Sequence, residues 1–129
     1  MTVQIDPTSL AVIKGRLEQI ADEMDATLFR SAFNPIIAEA RDASHGLYHP
    51  STGETLIQGK NGLPIFVGTK AIAVKHLINH LKQNHLTIRA GDVYLFNDPY
   101  EGGTHLSDFK PVSYTHLRAH ETREDRGWR

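Results

Sequence analysis

The 129-residue chain is 40% apolar and 22% charged with a formal net charge of −1, the composition of one small globular domain with a modest core. That balance excludes the basic footprint of a nucleic-acid or anionic-membrane binder, and the absence of cysteine excludes a disulfide framework, a thiolate metal site and a thiol nucleophile. No apolar run approaches membrane-spanning length and the first residues lack the basic-then-apolar order of a secretion signal, so a cytoplasmic location is expected.

Asp6-Pro7 opens a helix, with Asp6 as N-cap and Pro7 at the first helical position. Leu10, Ile13, Leu17, Ile20, Met24 and Leu28 recur at helical spacing and predict the core-facing side. Lys14, Arg16, Glu18, Asp22, Glu23 and Asp25 are expected on the opposite face, and Phe33-Asn34-Pro35 ends the element. Residues 46–48 read as a strand, 50–54 as a turn and 55–58 as the return strand of a β-hairpin. Asp42 stands at the entry to that hairpin, where acids are disfavoured; taken alone it reads as paired with Arg41 or left at the surface. Residues 61–69 read as a loop interrupted by Pro64. Thr69 then caps a second helix over 70–83, with Ile72, Val74, Leu77, Ile78 and Leu81 apolar. A buried strand is expected at 93–96. The order of helix, hairpin, loop, helix and strand gives a mixed α/β (α+β) fold.

That last strand runs into Asn97-Asp98-Pro99-Tyr100-Glu101-Gly102-Gly103-Thr104-His105-Leu106-Ser107-Asp108. A polar, glycine-rich loop at a strand end delivers side chains to one fixed place. His105 and Asp108 are three apart, so one turn of backbone can aim imidazole and carboxylate at a common point, while Gly102 and Gly103 permit the torsions of a sharp approach. A His/Asp pair without thiolate suits zinc, manganese or iron(II), and needs at least one further ligand. Other signals are weaker. His76 and His80 have metal-binding i,i+4 spacing, but Leu77 stands where a zinc protease carries Glu, and a polar helix face explains them better. His45, His49 and His85 are read in the same way. Residues 53–60 imitate a phosphate-binding loop but place five residues between the glycines instead of four, with Asn61 in place of the magnesium-binding Ser/Thr. ATP binding by that route is not expected.

The glycine-rich motif resembles the signature of the hydantoinase B/oxoprolinase family. Arg16-Leu17-Glu18 with Ile20-Ala21-Asp22-Glu23-Met24, Glu39-Ala40-Arg41-Asp42 with Ser44, and Arg89 with Gly91-Asp92-Val93 extend the likeness collinearly over residues 6–109. The resemblance implies a divalent metal centre (Zn, Mn or Fe) with Asp42, His105 and Asp108 as ligands and a further His downstream. Asp98 is a candidate for orienting a ligand or water from behind those residues. It also implies a hydantoinase A-type partner subunit that binds ATP and phosphorylates the carbonyl of a cyclic amide, to which this B-type subunit delivers a metal-activated water, within a hetero-oligomer. Two alternatives stay open: a subunit of an acetone-type ATP-dependent carboxylase, and a non-catalytic assembly module.

From Pro111 the sequence Pro111-Val112-Ser113-Tyr114-Thr115-His116-Leu117-Arg118-Ala119-His120-Glu121-Thr122 resembles the conceptual translation of a transposase-type sequencing adapter. Residues 1–110 are therefore expected to be the N-terminal part of the family domain and 111–129 a non-native tail. His116 and His120 accordingly leave the set of candidate ligands.

Overall fold

In the computed structural model, residues 5–114 are described. The elements are α1 (Pro7–Ser31), α2 (Pro35–Ala38), β1 (Gly46–Tyr48), β2 (Thr55–Gln58), α3 (Ile65–Gln83), β3 (Val93–Phe96), a 3₁₀ turn (Pro99–Glu101) and β4 (Lys110–Ser113). Helices and two small antiparallel sheets make this a mixed α/β fragment, as the sequence order predicts. Residues 115–129, with His116, His120 and most of the expected foreign tail, lie outside the described residues. Its first residues, Pro111–Ser113, lie within β4.

Asp6 caps α1 as expected, accepting from the Thr8 and Ser9 amides at 3.0 Å each. The helix nonetheless buries only Ala21 and Asp25. Leu10 and Ile13, expected in the core, are about half exposed because no described element covers the N-terminal half of α1. Asp25, expected on the polar face, is 2% exposed. Its place is set by spacing: it lies four residues after Ala21 and three before Leu28, on the face that packs against β2.

The first hairpin falls where the sequence puts it. β1 and β2 pair in the register Gly46↔Gln58 and Leu47↔Ile57, with an irregularity before Tyr48↔Thr55. The second helix begins five residues earlier than the 70–83 expectation. Pro64 takes φ −59°, ψ −28° at its N-terminal boundary, and Phe66 N–H and Val67 N–H bond to the Leu63 and Pro64 carbonyls. Proline pre-sets the helical φ, so it starts this helix instead of marking a loop. Thr69 consequently lies inside α3, its hydroxyl bonding back to the Ile65 and Phe66 carbonyls at 3.4 Å. The small core is α3's own face, Ala73, Val74, Ile78 and Leu81, together with Ala21.

β3 occupies 93–96 as predicted but is not buried: Val93 and Leu95 are 62% and 63% exposed. It pairs with β4 alone, from Val93↔Ser113 to Phe96↔Lys110, and one face of that two-stranded sheet is uncovered. The glycine-rich motif is thus the connection of a second hairpin, held at both ends by paired strands.

Candidate metal-binding loop

Three sets of bonds shape the 97–109 loop. At its start, Asp98 caps the 3₁₀ turn, accepting from Tyr100 N–H at 2.9 Å through Oδ1, while its carbonyl accepts from Gly103 N–H at 2.9 Å. Asn97 reaches across the loop and donates from Nδ2 to the Leu106 carbonyl at 2.6 Å. Gly102 adopts φ +86°, and a Cβ there would stand 2.9 Å from Ala73 Cα. Only glycine combines that torsion with so close an approach, and this seats the loop on the middle of α3. His76 on α3 faces Glu101 at 3.4 Å beside the same contact.

The loop closes on itself at the predicted pair. Asp108 Oδ2 accepts from the Thr104 hydroxyl at 2.6 Å and the His105 amide at 3.2 Å, and lies 3.1 Å from His105 Nδ1. The Thr104 bond is the main cause that holds the Asp108 carboxyl below its ordinary value, aided by the His105 amide and imidazole against a counteracting effect of burial. With Oδ2 saturated, Asp108 Oδ1 has only the long 3.5 Å contact from Ser107 Oγ. Among the described residues no hydrogen bond engages His105 Nε2, and the His105 side chain is 81% exposed. One oxygen and one nitrogen therefore remain available, a hard-to-borderline set that fits a divalent ion at two positions.

Asp42 is not brought to them. Among the described residues no three His, Cys, Asp or Glu side chains gather into a group able to hold a metal. The topology explains the separation. Asp42 is exposed in the segment between α2 and β1, its amide bonded to the Ile36 carbonyl, and the neighbouring Ala43 carbonyl accepts from Leu63 N–H at the start of α3. The loop sits instead at Ala73, ten residues beyond Leu63 and roughly 12 Å along the helix from its first residue, Ile65. Asp98 is exposed, and one of its oxygens is committed to capping.

Two features escaped the sequence reading. Asp25 Oδ2 accepts from Lys60 N–H at 3.2 Å, Asn61 N–H at 3.1 Å and Asn61 Nδ2 at 2.8 Å, tying the turn after β2 to α1. His45, read as a surface histidine, is half-buried beside it: Nε2 lies 2.9 Å from the Ala21 carbonyl and Nδ1 3.3 Å from Asp25 Oδ1. The latter two atoms are within ion-pair distance yet share no hydrogen bond. The signal available in the sequence was an acid inside the Ala21, Met24, Leu28 stripe. The second feature is a shallow recess of about 460 Å³ beside the pair, lined by Asn97, Asp98, Pro99, Tyr100 and Leu106.

The sequence pattern of the Hydantoinase B/oxoprolinase family matches residues 6–119. An uncharacterised protein of Methanocaldococcus jannaschii is 36% identical over 113 residues, covering 85% of this chain and 20% of that protein. A 5-oxoprolinase of Dictyostelium discoideum is 34% identical over 108 residues, 84% of this chain and 8% of its own length. Caprolactamase subunit beta of Pseudomonas jessenii is 34% identical over 113 residues, 85% of this chain and 19% of its own. The chain thus spans a fifth or less of these relatives. No solved structure matches it. Among the described residues no helix is long and apolar enough to cross a membrane.

Proposed function

The chain belongs to the hydantoinase B/oxoprolinase family, and on that premise we propose that it is part of a B-type subunit of an ATP-dependent cyclic-amide hydrolase acting in the cytoplasm. The observation that carries the reading is the His105–Asp108 pair, pre-positioned in a loop by Thr104 and by the Gly102–Ala73 contact. The names of two relatives, a 5-oxoprolinase and a caprolactamase subunit, point to small cyclic amides as substrates.

In this reading His105, through Nε2, and Asp108, through Oδ1, would hold a zinc, manganese or iron(II) ion, and Asp42 and a downstream His would have to be brought to them to complete the set. Such an ion supplies a bound water ionising near neutrality, with a pKa of about 7. The chain's own residues do the rest. Thr104 and the His105 amide keep Asp108 ionised and oriented. Asp98 steadies the turn from which Tyr100 projects. Tyr100, Pro99 and Leu106 give the recess apolar walls for a small ring, and Asn97 and Asp98 give it polar atoms for an amide. ATP is bound by an A-type partner subunit or domain, which phosphorylates the amide oxygen.

The test is a full-length protein carrying these residues, assembled with its A-type partner and assayed for ATP-dependent opening of 5-oxoproline, hydantoin and caprolactam. His105→Ala and Asp108→Ala should each abolish turnover and lower the bound divalent metal. Retained metal and turnover in both variants would remove the assignment.

A further inference from the structure

Asn61-Gly62 lies just after β2 and is the chain's single Asn-Gly pair: Asn34 precedes Pro35, Asn79 and Asn84 precede histidines, and Asn97 precedes Asp98. An asparagine before glycine is the one most open to attack by the following backbone nitrogen, because no side chain crowds that nitrogen or restricts its approach. The fold fixes both members of the pair. Asn61 serves Asp25, whose Oδ2 receives its backbone N–H at 3.1 Å and its Nδ2 at 2.8 Å. Gly62 packs on the segment before β1, where a Cβ would overlap the Ala43 carbonyl oxygen and stand 2.8 Å from Ser44 Cβ. Among the described residues no group accepts a hydrogen bond from Gly62 N–H, so the attacking nitrogen is unengaged. Asn61 itself is exposed, which gives water access to the pair.

We propose that Asn61 is a site of spontaneous deamidation, slowed by Asp25, whose product frees α1 from the turn after β2. Gly62 N bonds to Asn61 Cγ, and its proton departs with Nδ2, which leaves as ammonia. Water then opens the resulting succinimide at either carbonyl, giving an aspartyl or an isoaspartyl residue. Water is the only co-reactant. The bond to Asp25 opposes the first step, since ammonia leaves only once that bond is given up. The product cannot restore it. A new carboxylate puts an acceptor where Nδ2 donated, against the buried Asp25 carboxylate, and like charges at that range repel strongly where little water lies between them. An isoaspartyl link also adds a methylene to the backbone between Asn61 and Gly62, which the close packing of Gly62 on Ala43 and Ser44 does not accommodate.

The test uses the 129-residue chain, held at mildly alkaline pH with and without urea and read by peptide mapping with mass spectrometry. Asn61 should convert faster than Asn84, whose Nδ2 also donates at 2.8 Å, to the His80 carbonyl, but which precedes His85. Conversion should be slower in the folded chain than in the urea-unfolded one. Without urea, Asp25→Ala should convert roughly tenfold faster than the parent, as for loss of one charge-assisted hydrogen bond. Asn61→Asp, which reproduces the aspartyl product, should lower the urea midpoint. Asp25→Asn in the same chain should raise it again by restoring a donor between the two side chains. Conversion of Asn61 no faster than Asn84, equal rates in the folded parent and Asp25→Ala, or a parental midpoint for Asn61→Asp would overturn the proposal. Rates and midpoints are separate measurements, so the test stays decisive if Asp25→Ala does not fold.

Discussion

Replacement of Asp25 tests the tie between α1 and the rest of the fold. The carboxylate is 2% exposed and its Oδ2 receives three donors from Lys60 and Asn61. Asp25→Ala leaves two backbone N–H groups and one side-chain amide without their acceptor at a part-buried site. Each buried orphan costs about 1–3 kcal/mol, and partial hydration of the new cavity brings the expected total to about 3–5 kcal/mol. That is a large part of the ~5–15 kcal/mol that holds a small domain together. Asp25→Asn should behave differently. Its carbonyl can keep all three donors, and its amide can donate to His45 Nδ1 while His45 Nε2–H keeps the Ala21 carbonyl. Only the charge assistance is lost, about 1 kcal/mol. Urea unfolding followed by circular dichroism measures both as shifts of the midpoint at unchanged slope. A cost below about 1 kcal/mol for Asp25→Ala, or equal costs for the two variants, would refute the argument.

The loop makes two further predictions. Thr104→Val removes the hydroxyl that most strongly lowers the Asp108 carboxyl, so its pKa should climb back toward 3.8; carboxyl-carbon NMR titration reads this directly. Because the folded pKa is depressed, the bonds around Asp108 are intact above 3.8 and fail as pH falls through the folded value, so protection of the His105 amide should disappear only in that acidic window. Gly102→Ala forces a Cβ to within 2.9 Å of Ala73 Cα at φ +86°. It should cost about 1–3 kcal/mol and speed hydrogen exchange at Gly103 and His105 while leaving the β1–β2 hairpin unchanged. Unaltered exchange in the loop would mean that it is not seated on α3.

Elements governed by local rules were legible in the sequence. Asp6-Pro7 is both cap and first-turn signal for α1, and the 50–54 turn between alternating runs fixes the first hairpin. Errors came where tertiary context decides. Pro64 serves equally as a loop residue or a helix start, and only the Leu63 and Pro64 carbonyls receiving Phe66 and Val67 N–H settle which. The apolar content of Val93 and Leu95 says that a strand wants cover but not that cover is present, and here both are exposed. Asp25 and His45 were misplaced because Asp25 Oδ2 takes three donors from the turn after β2 and His45 Nε2 reaches the Ala21 carbonyl, partnerships between separate segments that no local window contains.

The same division runs through the candidate site. His105, Asp108 and Thr104 are near neighbours in sequence, so their bonds form within one loop, and the motif locates them without any help from the fold. Asp42 is a different case. It reaches the pair only if the segment between α2 and β1 and the β3–β4 connection converge, and in the described residues the first is bonded to Leu63, just before α3, while the second sits against Ala73 in the middle of that helix. A metal ion with four ligands cannot be held by a two-ligand loop alone. In the proposed metal site the pair would therefore be one half, and closing the rest would require either that the Asp42 segment move toward it or that ligands from elements outside residues 5–114 take its place. Metal affinity distinguishes the two: Asp42→Ala should weaken binding in a full-length protein as much as Asp108→Ala if the segment moves, and leave it unchanged if other elements supply the ligands.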